Sequence, residues 1–189
     1  MEGCLRLMAD CRTHGTHGRL KSVLHRFAEE LLPENAHNLC SGKAFISITR
    51  LYPLGNELVS EFESREDLIR ALLVSCHVPL WFDRQLWVNY KECRCMDGGL
   101  TSLIPVPPVK WPIRVSCFPV HRWGKRFGAR IAPDCYRPTP YTIPQLLRMS
   151  LIPAEDRQLL GLYENGRRDA QDYVNHYARP MFETTPRQN

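Results

Sequence analysis

Between Ser64 and Pro79 the sequence SREDLIRALLVSCHVP admits one local structure, and its surroundings must accommodate it. Ser64 followed by Asp67 fits a capping box, in which the Ser64 hydroxyl accepts a first-turn backbone N–H. Asp67 stands where Glu or Gln is usual, so the box is a weaker version. Glu66 and Asp67 place negative charge at the positive end of the helix dipole. Leu68, Ile69, Leu72, Leu73 and Cys76 follow at helical spacing and form an apolar face that must pack on something. Pro79 ends the helix by biasing Val78 away from helical angles.

Strands are expected on either side. Lys43 to Leu51 reads as one, Tyr52-Pro53-Leu54-Gly55-Asn56 as a turn, and Glu57 to Phe62 as a second strand beside the first. Cys93 to Met96 suits a strand entering a core, and Asp97-Gly98-Gly99 stands where that strand gives out. Glycine lets backbone turn sharply or approach another segment closely. Ends of strands are where open α/β sheets place their chemistry. Asp-Gly is also a common turn signal, so the residues alone leave a plain turn open.

The order of these parts resembles the second half of a patatin-like phospholipase domain. The corresponding residues are Ile48-Thr49-Arg50-Leu51, Val59-Ser60-Glu61-Phe62, the helix from Ser64 to Cys76, Pro79, and Asp97-Gly98-Gly99. Gly166-Arg167-Arg168-Asp169-Ala170 is similar to a later "GxRDA" helix of that family. The resemblance covers about residues 10–175. It implies an α/β fold, part of a three-layer α/β/α patatin-like architecture whose first strand and nucleophile elbow are missing. Residues 1–178 would form this partial domain, with a core over about 19–130 and C-terminal helices over about 142–178. Residues 179–189, with Pro180 and Pro186, are expected to be a disordered tail.

Patatin-like enzymes cleave acyl esters of phospholipids or neutral glycerides with a serine–aspartate dyad, a variant of nucleophile-plus-base logic. Carried over by the resemblance, Asp97 is the catalytic proton acceptor, and Gly98 and Gly99 form the turn that presents it. The family's Gly-x-Ser-x-Gly elbow and oxyanion loop lie upstream of the equivalent of Arg19. None of the nine serines here has glycine two places before and two after. The chain is therefore expected to be inactive alone. It is either the later part of a lipid acyl hydrolase or a non-catalytic module that keeps a lipid- or partner-binding surface. One further departure is Leu103-Ile104-Pro105, where the family often has Asn in place of Leu103.

Composition sets outer limits. A chain of 189 residues that is 43% hydrophobic and 24% charged can build a sizeable core. No apolar run is long enough to span a bilayer, and Met1 to Asp10 lacks a signal-peptide pattern. A cytoplasmic chain with its eight cysteines reduced is the expectation. The opening residues up to Gly18 read as a short apolar start and then a loop, and Arg19 to Leu32 as an amphipathic helix. His14 and His17 have helical metal spacing, but Gly15 and Gly18 argue for a loop and no ligand cluster stands nearby. Neither a metal nor a cofactor is implied.

Trp81, Phe82, Trp87 and Tyr90 fall within ten residues. They suit packing over the sheet edge or, for Trp81, Phe82 and Trp87, a lip touching a lipid surface. In HRWGKRFGAR, from His121 to Arg130, Trp123, Phe127, Lys125 and Arg126 combine rings with positive charge. That mixture suits phosphate headgroups, a solvated basic loop being the plainer alternative. No nucleic-acid fold motif accompanies it. A net charge of +5 suits anionic surfaces in general without singling one out, while the partners that the resemblance implies are a membrane phospholipid or lipid-droplet surface, met peripherally, and a protein at the exposed sheet edge. Trp111 to Phe118 is expected as a further strand, with helices at Ile143 to Ser150 and about Glu155 to Tyr177.

Overall fold

The computed structural model describes residues 2–120 and 128–178, divided after Pro107 into two compact units. In the first, α1 (Glu2–His14) and α2 (Leu20–Leu31) pack through Cys11, Val23 and Phe27, flanked by Leu7 and Leu20. The expected short start is thus a full helix. Its few apolar residues carry little periodic signal, and α2 supplies the partner that fixes them. Only the residues between Gly15 and Gly18 form the loop, both glycines lying at positive φ.

After a short α3 (Ala36–Cys40), β1 (Ile46–Leu51) and β2 (Leu54–Val59) form a hairpin whose pairs run from Ile46↔Val59 to Leu51↔Leu54. The connection is tighter than expected. Tyr52-Pro53 alone makes the turn, so β2 begins three residues before Glu57. The predicted helix is α4 (Arg65–Ser75), and the Ser64 hydroxyl accepts the Asp67 N–H at 3.1 Å. β3 (Val88–Tyr90) and β4 (Cys93–Asp97) complete an open sheet in the order β2-β1-β4-β3, every neighbouring pair antiparallel.

Register decides what faces the core. Ile46, Ile48, Val59 and Cys95 share one face of the sheet, and α4 covers it with Leu68, Ala71 and Val74. The opposite flank of α4 presents Ile69 and Leu73 to Phe82 and to Leu20, Leu24 and Ala28 of α2. A helix apolar on both flanks is a buried helix, and here the layers run sheet, α4, α2, α1.

The hairpin from β3 to β4 turns on Lys91 and Glu92, both at positive φ (44° and 62°). Two-residue hairpins need this left-handed backbone, and Asn-Gly supplies it cheaply. Glu92→Gly is expected to raise stability by about 1 kcal/mol. Urea unfolding checks this, and no gain would mean the turn relaxes without strain.

The second unit holds α5 (Ile143–Leu151) and α6 (Asp156–Tyr173), the latter running into a π-type turn from Val174 to Ala178. Thr142 and Gln145 close a reciprocal capping box on α5. Both helices match the sequence expectation. The strand expected over 111–118 does not form. A single bridge, Val115↔Ile131, stands in its place, because Pro112 and Pro119 lack the N–H a ladder requires. The expected tail, 179–189, lies outside the described residues.

Among the described residues, four antiparallel strands and six α-helices make the fold mixed α/β, in keeping with a partial patatin-like sheet. None of those helices is long and apolar enough to cross a membrane. All eight cysteines are unbridged.

Candidate functional site

Asp97 is the last residue of β4, opposite Ile48. That register points its side chain to the face covered by α4. Its backbone is fixed from both sides. The Asp97 N–H donates to the His77 carbonyl at 3.0 Å, and its own carbonyl accepts the Thr49 hydroxyl at 2.7 Å. The chain then enters a single 3-10 turn, Gly98–Leu100, which Asp97 caps by accepting the Gly99 N–H on Oδ1 at 2.7 Å.

Gly98 is required by space. A Cβ there would lie 2.2 Å from the Ser47 carbonyl oxygen. Asn56 secures the approach: its Nδ2 reaches the Ser47 hydroxyl at 2.8 Å, the Thr101 hydroxyl at 3.2 Å and the Gly98 carbonyl at 3.3 Å. Thr49 and Thr101 share a hydrogen bond at 2.8 Å. Four side chains, Ser47 and Thr49 of β1, Asn56 of β2 and Thr101 of the following turn, thus hold one backbone corner.

Electrostatics favour a base. Burial pushes the Asp97 carboxyl above the ordinary carboxylate range, against the Gly99 N–H and His77, which both favour the charged form. A carboxylate kept short of water is a better proton acceptor than a solvated one. The neighbouring His77 is 1% exposed, and burial lowers its pKa in spite of Asp83, whose Oδ1 lies 3.8 Å from Nδ1. Burial also raises the Cys76 thiol, with Asp97 adding to the shift.

The signs give opposite pH responses. A raised aspartate stabilises the fold fully below 3.8, its unfolded value, and that contribution is lost as pH rises through the folded pKa. Asp97→Asn keeps the Oδ1 acceptor and removes the charge. The variant is expected to melt above the parent chain at pH 7, the gap closing as pH falls towards 3.8. Melting curves from pH 3.5 to 7.5 test this, and a gap that widens in acid would reverse the assignment. His77 works the other way: its neutral form stabilises above 6.5, and acidification below that erodes it.

The aromatic residues divide. Phe82 is 1% exposed and packs on Ile69 and Leu73, so it is a core residue and no lip. Tyr90 is likewise buried, at 2%. Trp81 is half-buried, its indole N–H donating to Thr16 Oγ1 at 3.1 Å and its ring meeting His17 edge-on. Trp87 is exposed, with the Arg94 guanidinium 4.8 Å from its ring centre. Trp123, Lys125, Arg126 and Phe127 lie outside the described residues. The sequence reading missed the frame around Asp97: Thr49, Asn56, His77 and Thr101. No local signal marks them: strand register brings Thr49 and Asn56 to the corner, and the turns after α4 and β4 bring His77 and Thr101.

Comparison with known proteins finds relatives for about half of the chain. Human patatin-like phospholipase domain-containing protein 4 is 43% identical to this chain over 90 residues, covering 48% of the chain and 35% of that protein. Over that stretch the chain is similar to the patatin-like phospholipase domain-containing proteins. A mouse relative named 1-acylglycerol-3-phosphate O-acyltransferase Pnpla3 is 41% identical over 90 residues, 48% of this chain and 22% of its own. A human omega-hydroxyceramide transacylase is 37% identical over 87 residues, 46% and 16% of the two chains. The patatin-like match therefore spans about half of this chain and about a third or less of these relatives. Their names describe hydrolysis or transfer of acyl groups on lipids. No family model and no solved structure matches the chain.

Proposed function

We propose that these residues are the aspartate-bearing part of a lipid acyl hydrolase or acyltransferase. Asp97 would accept the proton of a serine nucleophile as the serine attacks an ester carbonyl. The observation that carries this reading is the desolvated Asp97 carboxyl at a strand end, on a glycine turn that admits no side chain. The relatives' names give the reaction class, acyl transfer from a lipid to water or to another acceptor. A Gly-x-Ser-x-Gly elbow is absent from the 189 residues, so the chain alone is inactive in this proposal. The expected contact is a phospholipid or lipid-droplet surface, with Trp87 and Arg94 exposed to meet it.

Labelling with a fluorophosphonate serine-hydrolase probe tests the reading. The chain 1–189 is expected to remain unlabelled. A chimera in which the upstream part of the human patatin-like protein precedes Arg19 is expected to label. Asp97→Asn in that chimera should slow labelling roughly 10²- to 10⁴-fold. Equal labelling of the chimera with and without the Asp97→Asn substitution would remove Asp97 from the chemistry. Labelling of 1–189 that depends on Asp97 would instead place the nucleophile among the nine serines. The second reading is a non-catalytic module, favoured by the apolar hairpin edge, where Tyr52 is 89% and Leu54 72% exposed. A chimera that folds yet never labels would support it.

A further inference from the structure

The Asn56 side chain stands at the same corner as Asp97, and the hydrogen bonds that begin on it run in one direction. Its Nδ2 lies 3.3 Å from two backbone carbonyl oxygens, those of Ile48 and Gly98. Carbonyls only accept, so the nitrogen of the amide, not its oxygen, faces the corner. The Thr49 hydroxyl donates to the Asp97 carbonyl at 2.7 Å. Its one proton is then in use, and Thr101 must be the donor in the 2.8 Å Thr49–Thr101 contact. Thr101 Oγ1 in turn accepts from Asn56 Nδ2 at 3.2 Å. The order is Asn56 amide, Thr101 hydroxyl, Thr49 hydroxyl, Asp97 carbonyl, and each bond polarises the next.

Two consecutive peptide planes are thereby tied to one amide. The Asp97 carbonyl belongs to the 97–98 peptide, held through the two threonines. The Gly98 carbonyl belongs to the 98–99 peptide, held by Asn56 directly. The Thr101 and Ser102 N–H groups also donate to that carbonyl, at 3.2 and 2.9 Å, but they belong to the turn itself. Asn56 fastens it to β2. A trans peptide is planar, with its N–H opposite its carbonyl. Fixing the Gly98 carbonyl therefore aims the Gly99 N–H, which meets Asp97 Oδ1 at 2.7 Å.

We propose that Asn56 is a positioning residue for Asp97, its amide holding both peptide planes of the corner so that the Gly99 N–H orients the carboxylate. The inference rests on the reading of Asp97 as proton acceptor. The N–H that Asn56 aims favours the charged form of a carboxyl that burial pushes the other way. The titratable groups facing that carboxyl are His77, in the turn after α4, and Cys76 at the end of α4. On the sheet, Glu57 stands in the same cross-strand row and is paired with Arg50 at 3.3 Å. Substitution of Asn56 replaces none of these groups.

Carboxyl carbon NMR of the full 1–189 chain tests the proposal, the Asp97 signal being assigned by its loss in Asp97→Asn. Asn56→Leu keeps the shape of the side chain and removes its donors. It is expected to move the Asp97 titration to higher pH and the Gly99 amide proton upfield. Thr101→Val cuts the chain of bonds at its second member and should move the titration the same way, by less. In the Asn56→Leu background it should add little, because the chain is already broken at its head. Circular dichroism melting shows which variants fold, and if Asn56→Leu does not, the Thr101→Val titration decides. An unmoved Asp97 titration in the folded variants would overturn the proposal, since a role confined to holding the fold changes melting alone. In the chimera with the upstream part of the human protein, Asn56→Leu is expected to slow probe labelling about tenfold and to carry its pH profile upward. Labelling that depends on Asp97 but is unchanged by Asn56→Leu would overturn the proposal and leave the role of Asp97 standing. Labelling indifferent to Asp97, with the titration moved in 1–189, would remove the reading of Asp97 and support the positioning by Asn56.

Discussion

Gly98→Ala is expected to destabilise the first unit by about 3 kcal/mol or more. The added methyl would sit 2.2 Å from the Ser47 carbonyl oxygen, which is backbone and cannot rotate away. Either β4 must move from β1 or the corner must open. Both routes break the Asn56 bonds to Ser47 and Gly98. Gly99→Ala is a useful comparison, because its Cβ would meet the Asp97 Oδ1 atom at 2.9 Å, a side-chain atom that can swing. That substitution should cost less stability, yet it disturbs the carboxylate directly. Chemical denaturation of the two variants side by side decides the matter. Equal costs would mean that the Ser47–Gly98 approach is not what holds the corner.

Phe82→Ala should cost about 3–5 kcal/mol, the range for emptying a buried aromatic site. In a unit of this size, that lowers the melting temperature by more than roughly 10 °C. Phe82 lies against Ile69 and Leu73, with its ring edge towards the His77 imidazole at 5.4 Å. Its loss leaves a void between α4 and α2 and exposes the histidine to water. Trp87→Ala, at an exposed position, should change stability by less than about 0.5 kcal/mol. A lipid-lip role for Phe82 would give the reverse pattern: unchanged melting and weakened vesicle binding.

These two residues show what a sequence can and cannot reveal. The helix after Ser64 was legible because cap, dipole charges and apolar spacing all agree within one short segment. The α/β class and the strands at β1 and β4 were legible for similar reasons. Phe82 was left open between packing and a lip because an aromatic cluster reads the same whether it faces water or a helix. Only the fold of the 77–83 segment over α4 separates Phe82 from Trp87. The β3–β4 hairpin escaped notice because Lys91-Glu92 lacks the Asn or Gly that marks such turns. Asp97 was nominated through resemblance, whereas Thr49 and Asn56 needed the strand register and Thr101 the turn after β4. A hydrogen bond between positions 52 residues apart, as between Thr49 and Thr101, leaves no trace in local pattern.

The pair of backbone bonds at Asp97 has a consequence in time as well as in space. Its amide is tied to the turn after α4, its carbonyl to β1, and α4 lies between two layers. Amide hydrogens in such a place exchange with solvent only when the whole unit opens. The proton acceptor proposed for this corner is therefore set before any serine would reach it. A nucleophile-bearing segment would meet a finished half-site, and the entropy of assembling the dyad would fall on the arriving segment alone.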